Sequence, residues 1–249
     1  MFKTTDVTAI VNAIVDVVTT ADEDFLTDHG IEKGAMTLIN AEQLQSLLPK
    51  THEAKIISGG SACNTIVAIS MLGGSGAYIG KVKNDAAGNA FKRDLKDLGV
   101  SYTTASNSSG PATAQCLVFV TADAQRSMAT YLGACVSLEP SDIDAKMIEA
   151  SKVIYLEGYL WDPPKAKEAI KKAIKLAHST NCKVALSLSD AFCVNRYRSE
   201  FLDLVSNQVD ILFANESEII SLYQVDNING ALDAIPDNGS IAAITLGEK

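Results

Sequence analysis

Residues 57–68 read ISGGSACNTIVA, and the fold and function of the chain are interpreted outward from this stretch. An apolar run ends at Gly59 and Gly60, and a helix is predicted to begin directly after them. Glycine pairs permit backbone angles and close approaches that a Cβ atom forbids. Ser61 is the predicted N-cap, and the N–H groups of the following turn have no partner within the helix, so they face the mouth of the turn. With Asn64 one turn later, the pattern fits a ligand with several hydroxyl groups, and fits a structural strand-to-helix turn equally well.

Composition narrows the class of protein. A chain of 249 residues that is 47% hydrophobic and 20% charged is long enough for one large domain with a substantial core. Its net charge of −9 argues against a nucleic-acid partner, because phosphate neutralisation needs a basic surface. No apolar run is long enough to span a bilayer and no secretory signal pattern is present, so the expected location is the cytoplasm, with no membrane partner.

Cysteine and histidine spacings exclude two kinds of site. The five cysteines form no CxxC pair and mostly lie in apolar segments, which predicts buried free thiols. The three histidines are widely separated and form no HxxH or HExxH motif. A zinc site and a histidine-based nucleophile triad are therefore not expected.

Strand and helix patterns alternate along the chain, which predicts right-handed βαβ units and a mostly parallel sheet with helices on both faces. Residues 19–50 interrupt the first such unit, and an excursion such as a lid fits there, with a strand over 34–39 and a helix over 41–48. Residues 101–110 are predicted to be a loop. The other predicted strands are 77–80, 115–121, 153–156, 183–188, 209–214 and 241–246, and the other predicted helices are 85–98, 166–177, 198–205, 216–223 and 230–235.

Polar side chains at the ends of predicted strands are the candidate site residues. Asn12 and Asp16 interrupt the apolar run of residues 7–18, which is predicted to be a buried strand. Ligands of α/β sheets bind beyond the carboxyl ends of strands, so these two side chains are candidates; a turn Asn and a helix-capping Asp are the alternative. Arg126 is either a solvated turn residue or a positive group that faces the site.

The segment after the strand 209–214 has two interpretations. Asn215 and Glu218 have the spacing of a capping box, and they could instead reach phosphate or Mg²⁺-bound water. The small residues of Thr245-Leu246-Gly247 close the last strand and could let backbone N–H groups approach a phosphate. The glycines at 74, 76 and 80 do not form a dinucleotide fingerprint, because the third position of GxGxxG falls on Ile79, so an NAD-dependent oxidoreductase is disfavoured.

Taken in order, these motifs resemble the ribokinase-like (PfkB) family of carbohydrate and nucleoside kinases, and within it the adenosine kinase branch. The resemblance covers essentially the whole chain. It is carried by Gly59-Gly60-Ser61 with Asn64, Leu72-Gly73, Gly80-Lys81-Val82 with Asp85 and Gly88, Leu98-Gly99-Val100, Asp210-Ile211-Leu212-Phe213 with Asn215 and Glu218, and Thr245-Leu246-Gly247; the adenosine branch is indicated by Asn12-Ala13-Ile14-Val15-Asp16, Arg126-Ser127-Met128 and Asn215-Glu216-Ser217-Glu218.

The resemblance implies a fold, cofactors and residue roles. The fold would be a three-layer α/β/α sandwich with a small β lid, a single domain over residues 1–249 with lid segments at about 17–40 and 101–130. ATP and Mg²⁺ would be the cofactors, and the protein would be a monomer or a homodimer. Asp16 and Asn64 would hold ribose hydroxyls beside Asn12, Gly59, Gly60 and Ser61; Met128, Leu132 and Phe192 would form the apolar purine pocket; Arg126 would stabilise the transferred phosphate; Asn215, Glu218 (through water to Mg²⁺), Thr245 and Gly247 would serve ATP.

One departure bears on activity. In the family, a Gly-Ala-Gly-Asp segment supplies the general-base Asp and the anion hole, and it lies beyond the point where this sequence stops at Lys249. The chain is therefore expected to be a C-terminally truncated fragment with negligible kinase activity of its own. The leading hypothesis for the parent protein is ATP-dependent phosphorylation of adenosine; the alternatives are another sugar kinase, such as a fructokinase or ribokinase, and a non-catalytic nucleoside or sugar binder.

Overall fold

The structure is a computed structural model that describes residues 3–247. The strands are β1 (Thr5–Ile10), β2 (Ile14–Thr20), β3 (Met36–Leu38), β4 (Lys55–Gly59), β5 (Gly76–Ile79), β6 (Ser101–Tyr102), β7 (Ala114–Val120), β8 (Arg126–Tyr131), β9 (Ser151–Glu157), β10 (Lys183–Ser187), β11 (Ile211–Asn215) and β12 (Ile241–Thr245). The α-helices are α1 (Glu23–Asp28), α2 (Ala41–Leu47), α3 (Ser61–Met71), α4 (Ala86–Asp97), α5 (Ala145–Glu149), α6 (Pro164–Ser179), α7 (Ala191–Arg196), α8 (Arg198–Asn207), α9 (Glu216–Tyr223) and α10 (Ile228–Ala234).

The main sheet has seven strands in the order β12-β11-β10-β9-β1-β5-β6, and all of its strand pairs are parallel. Neighbouring residues of β1 pack on opposite faces: Ile10 joins the core formed with α5 to α10, and Ala9 joins the core formed with α3 and α4. A parallel sheet must be covered on both faces, and these two cores cover it. The predicted three-layer α/β/α architecture is confirmed.

A second sheet of five strands has the order β3-β8-β7-β2-β4. One face packs on α1 and α2 through buried side chains that include Val17, Leu117 and Phe119. The opposite face carries the row Asp16, Cys116 and Thr130, which strand pairing aligns. The predicted lid segments, residues 17–40 and 101–130, contain β3, β7 and most of β2 and β8, but not β4.

The elements predicted from residue 77 onward are all present, with shifted ends. Two of the predicted secondary-structure assignments are wrong. Residues 7–18 are not one strand, because the chain leaves the main sheet after Ile10 and enters the second sheet at Ile14. Residues 101–110 are not entirely loop, because β6 pairs with β5 at the sheet edge; a strand of two residues is too short to give a periodic signal.

Asp85 and Gly88 fix the start of α4 against the start of β7. Asp85 is the N-cap and accepts hydrogen bonds from Gly88 N at 2.8 Å and from Thr113 N at 2.9 Å. Burial raises the pKa of Asp85, but the hydrogen bonds from Thr113 and Gly88 lower it by a larger amount. The pKa of Asp85 therefore lies below its ordinary value. A Cβ atom on Gly88 would lie 2.1 Å from Lys83 O, so only glycine fits there. These two motif residues therefore have a structural role.

The cysteine prediction is confirmed, since all five cysteines are buried and unpaired. Within residues 3–247, no helix combines the length and apolar character required to cross a membrane.

Candidate active site

The carboxyl ends of the parallel strands meet at one edge of the main sheet, where α/β proteins bind ligands. Asn12 follows β1, Glu157 ends β9, Asn215 ends β11 and Thr245 ends β12. Residues that are far apart in the sequence are thus collected at the same edge, and the candidate site is built from them.

Gly59 and Gly60 leave room for the side chain of Asp16. Asp16 in β2 pairs with Ile57 in the antiparallel strand β4, and this register brings its carboxyl group over Gly59. A Cβ atom on Gly59 would lie 2.0 Å from Asp16 Cγ. Gly60 has φ = 97°, a conformation that other residues rarely adopt, and a Cβ atom there would lie 3.2 Å from Asn12 O. The glycine pair is therefore required by close approach and not only by the turn.

Asn12 presents a buried acceptor without a partner. The residue is 6% exposed, and its Oδ1 atom has no hydrogen-bond partner within the described structure. Its backbone is held, since the Tyr78 hydroxyl donates to Asn12 O at 2.7 Å. A buried polar atom left unpaired costs free energy, so such an atom at a ligand-binding edge indicates an acceptor for a ligand hydroxyl.

The predicted N-cap at Ser61 is wrong. Gly60 is the N-cap of α3 and Ser61 is the first helical residue, because Gly60 supplies the backbone angle that the entry to the helix requires. Gly60 has no side chain to cap the helix, and the first turn contains no acidic residue. Ser61 and Asn64 are exposed on this first turn, next to the glycine pair.

Asp16 is a partly buried carboxyl group whose pKa is influenced by the charge of Arg126. Burial raises the pKa of Asp16 to about 6, and the positive charge of Arg126 opposes this rise. Arg126 is the exposed first residue of β8. Both interpretations of Arg126 are compatible with this position, because the side chain is exposed and its positive charge lowers the pKa of Asp16.

Replacing Arg126 by glutamine is expected to raise the pKa of Asp16 above about 6. A protonated carboxyl group accepts hydroxyl hydrogen bonds less well, so ligand affinity should fall on acidification, and in Arg126→Gln the fall should begin at a higher pH. Calorimetric titration with adenosine between about pH 5 and pH 8 measures this shift. Arg93→Gln, at an exposed position on α4, is the matched control. Coincident pH profiles of wild type and Arg126→Gln would contradict the coupling.

The apolar side of the site comes from the second sheet. Met128 and Leu132 pack against Ile14, Cys116 and Val118, on the face that also carries Asp16. Phe192 lies on the first turn of α7 and is 82% exposed, so it does not pack in this cluster. The structure thus brings together two of the three residues predicted for the purine pocket.

Met36 and Leu38 are site candidates that sequence reasoning missed. Pairing of β3 with β8 aligns Met36 with Met128 and Leu38 with Thr130, which extends the apolar face. Both are large apolar residues with exposed side chains, at 42% and 59%. Only the pairing of a three-residue strand reveals them, and no local pattern in the sequence could have done so.

A cleft of about 740 Å³ lies where β11 and β12 end. Asn215 pairs with Thr245 across these strands, and Gly247 follows with φ = 70°. The residues that line it include Asn195, Asn215, Ser217, Gln224, Thr245 and Gly247. The predicted nucleotide residues Asn215, Thr245 and Gly247 are therefore neighbours around one cleft.

The capping box of Asn215 and Glu218 is confirmed. Asn215 Oδ1 accepts from Glu218 N at 2.8 Å, and Glu218 accepts from Asn215 N at 2.9 Å and from Asn215 Nδ2 at 2.8 Å. Glu218 is 5% exposed, and burial raises its pKa.

A direct metal site is not formed by the side chains of residues 3–247, which contain no group of three His, Cys, Asp or Glu residues placed to hold an ion. Glu218 retains acceptor lone pairs beyond its bonds to Asn215. Glu218 is buried and is not among the residues that line this cleft, so it would reach a Mg²⁺ ion carried by nucleotide phosphates only through water. The residues present therefore fit water-mediated Mg²⁺ binding.

This combination of a parallel seven-stranded sheet, a second sheet and a Gly-Gly turn beside Asp16 defines an α/β protein with a ribokinase-like fold. The chain belongs to the pfkB family of carbohydrate kinases, whose profile matches residues 34–249.

Individual relatives span both carbohydrate and nucleoside kinases. A probable sugar kinase from Rhizobium etli CFN 42 has a TM-score of 0.91 and 46% identity, over 99% of this chain and 75% of that chain. The adenosine kinase from Sinorhizobium meliloti has a TM-score of 0.90 and 47% identity, over 98% of this chain and 75% of that chain. Probable fructokinase-4 from Arabidopsis thaliana is 27% identical over 203 residues, which cover 77% of this chain and 61% of the relative. The chain thus spans about three-fifths of this fructokinase.

Proposed function

We propose that the protein is part of an ATP-dependent kinase that transfers the γ-phosphoryl group to a hydroxyl of a nucleoside, with adenosine as the preferred acceptor. The observation that carries this proposal is the unpartnered, buried Oδ1 of Asn12, a residue whose backbone carbonyl lies against Gly60, together with the Asp16 carboxyl group against Gly59. Two acceptor groups held against a bare backbone suit the adjacent hydroxyls of a sugar ring.

The residues have separate roles in this proposal. Asp16, Asn12 and Asn64 bind the ribose hydroxyls, while the backbone of the glycine pair allows the ring to come close. Arg126 acts on the transferred phosphate, and the cleft at Asn215, Thr245 and Gly247 receives ATP. Glu218 would hold Mg²⁺ through water, and the ion would supply positive charge to the nucleotide phosphates. Phosphoryl transfer needs this positioning and charge stabilisation more than covalent chemistry.

The second sheet acts as a lid over the acceptor. Its apolar face, with Met128 and Leu132, covers the base, and closure excludes water that would otherwise hydrolyse ATP. Adenosine is preferred over a free sugar because its base can pack against this apolar surface, whereas a sugar without a base cannot. The 47% identity to an adenosine kinase supports this choice. The fructokinase relative supports the second candidate function, a sugar kinase.

Calorimetric titration of the 249-residue chain with adenosine, ribose and fructose tests the acceptor. We expect adenosine to bind at least about 10-fold more tightly than either sugar, because burying a purine against apolar side chains adds more than 1.4 kcal/mol. Equal or tighter binding of fructose would favour the sugar kinase. No binding of any of the three would reject the acceptor site.

A further inference from the structure

Asp94 is a charged side chain of α4 with no role in the acceptor or nucleotide contacts described above. It lies on the third turn of the helix, between Phe91 and Leu95, which are both fully buried in the core of the main sheet. The ring of Phe91 also packs edge-on against Tyr78 of β5, with 5.4 Å between the ring centroids. Because α4 is held firmly by this packing, the Asp94 carboxylate is an acceptor at a fixed place.

This carboxylate pairs with the edge of the second sheet. Asp94 Oδ2 accepts a hydrogen bond from Ser58 N at 2.6 Å. Ser58 belongs to β4, the outermost strand of that sheet, so an N–H group on its outer side has no further strand to pair with among residues 3–247. Ser58 is nevertheless buried, at 6% exposed. A buried N–H group without a partner costs free energy, and Asp94 supplies the partner that the sheet cannot.

A second carboxylate of the same helix holds the strand on the other side of β2. Asp85, the N-cap of α4, accepts from Thr113 N at 2.9 Å, directly before β7 begins. Within the sheet, Ile14 of β2 pairs with Gly59 of β4 on one side and with Ala114 of β7 on the other. The helix therefore holds the second sheet on both sides of β2, at the level where β2 begins.

The hydrogen bond to Ser58 lies next to the acceptor site. Ser58 directly precedes Gly59, against which the carboxyl group of Asp16 is packed, and Gly60, whose φ of 97° begins the turn into α3. A glycine pair has more conformational freedom than any other pair of residues, so its position depends on the backbone beside it. Asp94 fixes the backbone one residue before this pair, which limits where the turn can lie relative to Asp16.

We propose that Asp94 is a positioning residue for the acceptor site, which holds the backbone at Ser58 so that the Gly59-Gly60 turn stays against Asp16. It acts through β4 and does not itself contact the acceptor. The inference rests on the proposed function for its effect on affinity, whereas the contact with Ser58 can be tested without a ligand.

The test compares Asp94→Ala, which removes the acceptor, with Asp94→Asn, which keeps an acceptor oxygen but loses the charge. Asp97→Ala, at an exposed position on the same helix, is the matched control. We expect the Kd for adenosine to rise roughly 10-fold in Asp94→Ala and less in Asp94→Asn, because a hydrogen bond to a charged acceptor is stronger than one to a neutral acceptor. The Kd for ATP should not change. Hydrogen–deuterium exchange at the Ser58 amide should become faster in Asp94→Asn and faster still in Asp94→Ala.

A structural role alone would lower the free energy of unfolding of Asp94→Ala and leave the Kd for adenosine at the wild-type value, and this result would overturn the proposal. Unchanged exchange at Ser58 would overturn it as well, as would equal losses of affinity for adenosine and ATP. If wild type binds none of adenosine, ribose and fructose, the proposed function fails, and the exchange measurement alone decides whether Asp94 holds Ser58. If Asp94→Ala does not fold, the comparison is made with Asp94→Asn, for which wild-type exchange at Ser58 would reject the positioning role.

Discussion

Replacing Gly59 by alanine is expected to reduce adenosine affinity by about 100-fold or more. The added Cβ atom would lie 2.0 Å from Cγ of Asp16 and 2.1 Å from its Oδ1 atom, so the carboxyl group must leave its position. Overpacking of this kind costs about 1–3 kcal/mol, and the upper end of that range corresponds to roughly 100-fold. Calorimetric titration of the purified variant with adenosine gives the change directly.

The cause of the loss can be isolated with two further variants. Gly230→Ala is the matched control, because a Cβ atom there meets nothing closer than 3.4 Å, and it should bind adenosine as wild type does. If Gly59→Ala acts by displacing Asp16, the double variant Asp16→Ala/Gly59→Ala should bind no more weakly than Asp16→Ala. Additive losses would mean that the methyl group blocks the ligand itself, and wild-type affinity in Gly59→Ala would reject the close approach.

Replacing Gly88 by alanine is expected to destabilise the fold by roughly 3 kcal/mol, a large part of a typical margin of about 5–15 kcal/mol. The Cβ atom would lie 2.1 Å from Lys83 O and 2.9 Å from Thr113 Oγ1. Lys83 O is a backbone atom and cannot rotate away, so α4 must move and its Asp85 cap must distort. The free energy of unfolding from urea titration, followed by circular dichroism, measures the loss.

Gly230→Ala again provides the comparison, because it introduces the same methyl group into α10 without a close contact. Its unfolding free energy should equal that of wild type or exceed it by less than about 1 kcal/mol, since alanine is the better helix former. Equal stabilities of Gly88→Ala and wild type would show that α4 can shift freely, contrary to the close contact between Gly88 and the backbone of Lys83.

Local chemistry explains what could be predicted from the sequence. Helices such as α6 have an apolar face at helical spacing, and Pro164 marks its first residue. The capping box of Asn215 and Glu218 involves residues three apart, so its hydrogen bonds follow from spacing alone. The glycine pair was identified because glycine is informative wherever a backbone must come close to another group.

Long-range pairing explains what could not be predicted. The break between β1 and β2 falls within the mainly apolar run of residues 7–18, because both sheets bury the strands that enter them. Glu157 ends β9, a strand with no unusual local pattern, and its burial follows from the position of β9 between β1 and β10 in the sheet. Serine is a typical N-cap residue, but the positive φ of Gly60 places the N-cap of α3 one residue before Ser61.

The pairing of β2 with β4 has a consequence for how this protein can vary. The distance between Asp16 and the first turn of α3 is fixed by strand register, with Ile14 opposite Gly59 and Asp16 opposite Ile57. The segment that connects these two strands, residues 21–54, does not determine this distance. Because loop closure costs only about 0.6 kcal/mol for each doubling of length, this excursion could lengthen or shorten while the binding geometry stays the same. Insertions there would remodel the outer surface, whereas a slip of one residue in the ladder would turn Asp16 to the opposite face of the sheet.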